Sequence, residues 1–94
     1  MFVIDRSADG TIVMTGRFDA SQVATAREVL DVVSTSATVD FGRLDYISSA
    51  GLGLLLGTQK RLSQSGNSLR LLNMNDHIRE LFRIAGFDRI FEID

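Results

Sequence analysis

The sequence predicts one α/β domain over residues 1–94, a mixed sheet of about five strands with an antiparallel N-terminal hairpin and three or four helices. Three observations carry this. β-Branched and aromatic runs alternate with stretches whose apolar residues recur at the helical period. Strands joined through single helices must lie parallel. The first two strand-like runs, however, are separated only by Ala8-Asp9-Gly10, and Asp-Gly between two such runs is a hairpin signal.

Phe2-Val3-Ile4 and Thr11–Thr15 form the hairpin, with Gly16 expected to end its second strand. Val23, Ala26, Val29, Leu30 and Val33 then share one face of a helix, which Asp19 or Ser21 can cap through a short side-chain oxygen. Ala37–Phe41 is a short buried strand, and Gly42–Ile47 is expected to be a loop. A second helix runs from about Ser49 to Ser65, stopped by Gly66-Asn67. Leu69–Leu72 is the next strand. Asn75 caps a third helix whose apolar positions Ile78, Leu81, Phe82 and Ala85 fit the helical period, Gly86 closes it, and Arg89–Ile93 is expected to form a last strand.

Composition removes whole classes of function. Without Cys there is no disulfide, thiolate metal site or cysteine nucleophile, and His77 as the sole His rules out a His cluster. A net charge of −2 argues against direct nucleic-acid binding. The longest run free of polar side chains, Ala50–Gly57, is far shorter than the roughly 20 residues that cross a bilayer, so no membrane insertion is expected. Met1–Arg6 lacks the pattern of a signal peptide, which makes a cytoplasmic location the expectation. Neither a cofactor nor a metal is called for.

The informative stretch is Asp45-Tyr46-Ile47-Ser48-Ser49-Ala50-Gly51-Leu52-Gly53. A glycine in a helix costs about 0.8–1 kcal/mol relative to Ala, so two of them in a first turn require a reason. Either they let the helix lie close to the sheet, or they leave its N-terminus bare. That end carries unpaired N–H groups and about half a positive charge, which suits a phosphate. One Ser of the pair is expected to cap the helix. A hydroxyl at such a tip is also within reach of a kinase.

This stretch resembles the signature of the STAS domain, specifically of bacterial anti-sigma-factor antagonists, whose usual form is Asp-Ser-Ser/Thr-Gly-Leu-Gly after an aromatic–aliphatic pair. Gly16-Arg17-Phe18-Asp19 is similar to the family's Gly-Glu-Leu-Asp turn, and Ile78–Phe87 resembles its last amphipathic helix. The resemblance implies a non-enzymatic switch. Such proteins bind an anti-sigma factor that is also a GHKL-type serine kinase, and so free a sigma factor. Phosphorylation ends the binding, and a PP2C-type phosphatase restores it. Aligned on Gly51-Leu52-Gly53, the acceptor is Ser49, with Ser48 as second candidate, and the partner surface comprises Asp19, Ser48, Ser49, Ala50, Gly51, Leu52 and Gly53. The sequence departs from the pattern in two places: Ser48 stands where many members carry Asp, and Ala50 where they carry Ser or Thr. The alternative is a STAS subunit that is not phosphorylated, in a lipid-transport ABC complex or a signalling scaffold.

Other motifs fail on their spacing. Gly51-x-Gly53 lacks the third Gly of a dinucleotide loop, because Leu56 occupies that place. Ile47 before the Ser pair excludes a hydrolase elbow. His77 beside Asp76 reads as a solvated residue rather than a base, and no catalytic residue is assigned. Asp19, Asp40 and Asp45 could gather at the strand ends, but no second residue class supports catalysis there. Arg79, Arg83 and Arg89 read as a solvated surface, and Phe82, Phe87 and Phe91 as core.

Overall fold

A computed structural model describes all 94 residues. β1 (Phe2–Arg6) pairs antiparallel with β2 (Ile12–Phe18); β3 (Ala37–Ile47), β4 (Leu69–Leu72) and β5 (Glu92–Ile93) follow in parallel, giving the order β1-β2-β3-β4-β5. Between the strands lie α1 (Val23–Leu30), α2 (Ser49–Ser63) and α3 (Asp76–Ile84). Two short 3-10 turns, Ala20–Gln22 and Phe87–Arg89, flank α1 and β5. The expected mixed sheet, hairpin and three helices are all present.

Burial alternates along β2. Ile12, Met14 and Phe18 are fully buried, while Val13 and Thr15 are half-buried and Arg17 is exposed. The buried set joins one cluster of 20 apolar side chains that also takes Ala26 and Leu30 from α1, Leu54, Leu55 and Leu62 from α2, and Ile78 and Phe82 from α3. All three helices therefore contribute to one core with the sheet. Phe82 stands at the centre of an aromatic group, edge-on to Phe41, Phe87 and Phe91 at centroid distances of 5.7–6.1 Å. Such pairs contribute about 0.5–1.5 kcal/mol each beyond the area they bury.

Several boundaries differ from the sequence reading, and α1 stops at Leu30, short of the Val33 expected on its face. β2 continues through Gly16 to Phe18: Gly16 takes φ +91°, the chain shifts register there, and the Met1 carbonyl accepts the Arg17 N–H at 2.8 Å. A side chain at Gly16 would run into that carbonyl. Residues 42–47 are strand rather than loop, because the extra length of β2 gives them a partner, with Thr15 opposite Arg43 and Phe18 opposite Ile47. Register shifts break the alternation, so the buried Phe41, Leu44 and Ile47 fall three apart and hide the strand from a period-2 reading. At the C-terminus only Glu92–Ile93 pairs with β4. Residues 87–89 turn instead, and the Phe87 carbonyl receives the N–H groups of Ile90 and Phe91, which brings both Phe87 and Phe91 to the aromatic group.

Candidate functional site

The parallel pairing of β2 with β3 brings Phe18 opposite Ile47, so the residues that leave the two strands, Asp19 and Ser48, emerge side by side. A backbone bond fixes the junction, with the Ser48 N–H donating to the Phe18 carbonyl at 2.9 Å. Ser48 is the N-cap of α2: its backbone is extended, and its Oγ accepts the Gly51 N–H at 3.1 Å. Ser49 is the first helical residue and is exposed, outside the capping bond. No acidic residue occupies the first turn of α2, so the helix itself supplies no negative charge to its positive dipole end beside the Ser49 hydroxyl.

Gly51 lies inward. A Cβ there would come within 3.0 Å of Ile47 Cγ1 and 3.2 Å of the Phe18 ring, both buried, so this glycine lets α2 press against the ends of β2 and β3. It shapes the site from beneath and is not part of its surface, unlike the surface role expected for it. Gly53 is the opposite case: it is exposed, with open space where a side chain would be. Ser49, Ala50 and Gly53 are exposed, while Asp19, Ser48 and Leu52 are half-buried around them.

Asp19 caps the 3-10 turn that leads into α1, not α1 itself; Oδ1 accepts the Ser21 N–H at 3.0 Å and also the Ser21 hydroxyl. The hydroxyl bond holds the Asp19 carboxyl below the usual carboxylate range, with help from the Ser21 N–H and the charge of Arg17. The Arg17 guanidinium covers the Tyr46 ring, 4.3 Å from its centroid. Arg17 and Tyr46 were not among the sequence candidates; only the β2–β3 register brings them together.

A second feature was also missed. A groove of about 590 Å³ separates α1 from α2, with Val23, Arg27 and Asp31 on one wall and Ala50, Gly53 and Gly57 on the other. Val23, Arg27 and Asp31 are four apart, and the two glycines are four apart, so the signal was present in the spacing.

The other charged candidates lie elsewhere. Asp40 Oδ1 accepts the Gly42 N–H at 2.8 Å and the Asn73 amide at 3.1 Å, and no group of three or more His, Asp or Glu side chains is placed to hold a metal. His77 is exposed in the first turn of α3. Arg83 pairs with Glu80 on the α3 surface, and Arg79 donates to the Asp94 carbonyl.

Comparison with known proteins agrees with this geometry. A family model described as "Mlab, STAS domain" matches residues 2–92. The anti-sigma-B factor antagonist of Staphylococcus aureus is 32% identical over 83 residues, covering 84% of this chain and 77% of that protein. This chain belongs to the STAS domain family of anti-sigma factor antagonists. BtrV of Bordetella bronchiseptica, which carries the name of an anti-sigma factor antagonist, is 49% identical over 55 residues; the match covers 58% of this STAS chain and about half (47%) of BtrV. The STAS fold also superposes on Bacillus SpoIIAA. The unphosphorylated form gives a TM-score of 0.76 and the phosphorylated form 0.72, each at 24% identity over the whole of this chain and 88% and 91% of those chains. No helix is long and apolar enough to cross a membrane.

Proposed function

We propose that this STAS domain is the switchable antagonist of a partner-switching system: it binds an anti-sigma factor with GHKL-type serine kinase activity, and phosphorylation of Ser49 ends the binding. The observation that carries the reading is the division of labour in the Ser pair. Ser48 is occupied as the cap, and Ser49 is exposed at the first position of the helix. The names of the S. aureus and B. bronchiseptica relatives and the phosphorylated form of SpoIIAA support it.

The absent Asp of the motif fits this geometry. An Asp at the N-cap would accept the same Gly51 N–H, and Ser ranks close to Asp as a cap. Ser48 thus keeps the helix start and removes a negative charge next to the acceptor.

The sign of the switch follows from charge. A phosphate on Ser49 adds about −1.5 to −2. The exposed helix end stabilises it by about 0.3–1 kcal/mol, so the domain keeps its fold. A partner packed over Ser49, Ala50 and Gly53 must instead desolvate a dianion, which costs several kcal/mol unless it supplies a cation. Since about 1.4 kcal/mol is a tenfold change in affinity, even part of that penalty releases the partner.

Incubation with the cognate kinase and ATP should add one phosphate, which Ser49→Ala blocks and Ser48→Ala does not, read by intact mass. Ser49→Asp should weaken partner binding at least about tenfold by calorimetry. Phosphate on Ser48, or on neither residue, would overturn the assignment.

A second reading has its own support. The matched family model is described by the name Mlab, and no carboxylate precedes Ser49 to orient it. Under that reading the domain is a constitutive subunit of a lipid-transport ABC complex. Capture of a transporter ATPase in place of a kinase, with equal affinities for wild type and Ser49→Asp, would select it.

A further inference from the structure

The C-terminal carbonyls of a helix lack intrahelical partners, and most chains satisfy them with a left-handed glycine just past the end. α2 and α3 follow that rule, with Gly66 at φ +77° and Gly86 at φ +76°. α1 does not: Asp31-Val32-Val33-Ser34 contains no glycine. The Leu30 carbonyl accepts the Val33 N–H at 3.1 Å, and the further donors come from another element. The Arg61 guanidinium on α2 donates from Nη1 to the Val33 carbonyl at 2.7 Å and from Nη2 to the Leu30 carbonyl at 2.9 Å.

α1 is otherwise a short element, with Val23 and Val29 packed against the core beside its buried residues. It is eight residues long, buries only Ala26 and Leu30, and its N-cap Gln22 makes no side-chain capping bond. The groove runs between α1 and α2, and Arg61 is one of the residues that line it. We infer that Arg61 is a latch: its two-pronged bond to the end of α1 holds this helix against α2 and sets the width of the groove that opens beside Ala50 and Gly53. A planar guanidinium reaches two carbonyls at once and places its charge at the negative end of the α1 dipole. Lys has the charge without the fork. The latch belongs to the fold of this chain and does not depend on which partner the domain binds.

Amide hydrogen exchange on the isolated domain tests this residue by residue. In Arg61→Met, which retains an apolar stem and loses the donors, the α1 amides should exchange at least about tenfold faster, equivalent to about 1.4 kcal/mol of local opening. A convenient marker is the Asp31 N–H, which donates to the Arg27 carbonyl at 2.9 Å. Amides of β3 and α3 should keep their wild-type rates, and Arg61→Lys should fall between wild type and Arg61→Met in α1. Unchanged α1 exchange in Arg61→Met would overturn the latch. So would an equal acceleration in all three elements, because Arg61 would then support the whole domain and not α1.

Discussion

α2 and α3 start in the same way and end up doing different things. Each opens on a short polar cap whose side-chain oxygen accepts the N–H of the third helical residue, Ser48 from Gly51 and Asn75 from Ile78 at 2.8 Å. Position by position, Ser49 then faces Asp76, Ala50 faces His77 and Gly51 faces Ile78. α3 brings its own negative charge at the first position and a bulky apolar residue at the third. α2 brings a neutral hydroxyl and no side chain at all. A helix start built like α3 carries its own negative charge and stands off from the sheet on Ile78, whereas α2 lies close to the sheet and has no acid in its own first turn. A phosphate on Ser49 would place charge where Asp76 already sits on α3, which is why the modification should leave the fold alone and act on whatever docks.

The third position gives the largest test. Ile78→Ala empties a fully buried site and should cost about 2–5 kcal/mol. Gly51→Val makes the reverse error, forcing atoms into the Phe18 and Ile47 side chains, and should cost about 1–3 kcal/mol. Chemical denaturation measures both, and a Gly51→Val domain as stable as wild type would mean that α2 has room to move outward.

Next come the caps. Ser48→Ala and Asn75→Ala should each lose about 0.5–2 kcal/mol. The Asn75 change should be the larger, since its amide also donates to the Leu44 carbonyl at 3.2 Å and ties α3 to the middle of β3. Equal losses would leave that second bond without energetic weight.

The first position should respond by less and with opposite signs. Ser49→Asp should raise stability by about 0.3–1 kcal/mol at low salt, and Asp76→Asn should lower it by a similar amount. Both effects should shrink as added salt screens the exposed charges. Thermal melts at two ionic strengths read this, and a destabilised Ser49→Asp would break the parallel between the two helices.

The smallest effect concerns pH. The folded-state pKa of Asp19 is depressed by its Ser21 partner, so its contribution is complete above the unfolded carboxylate pKa and is lost as pH falls through the lower folded value. Asp19→Asn, which caps equally well, should keep neutral-pH stability while flattening that acid limb.

The sequence by itself determined the element order, the hairpin, the caps at Ser48 or Ser49 and at Asn75, and the inward aromatics, because these depend on periodicity and on contacts only a few residues apart. Ser49 as the acceptor candidate came from the resemblance of a local motif at a helix start, and its role is a proposal. Tertiary structure decided the rest. Residues 42–47 became strand because β2 offered them a pairing partner, and no local propensity records that. Residues 89–91 gave up strand for a turn, and Phe87 and Phe91 both reach Phe82. Gly51 moved from the expected surface to the underside of the site because Phe18, 33 positions away, lies beneath it. Arg61 finished a helix it does not belong to, 28 and 31 positions from the carbonyls it serves. Each of these outcomes turns on which atoms meet after the sheet closes, and neither spacing nor composition carries that information.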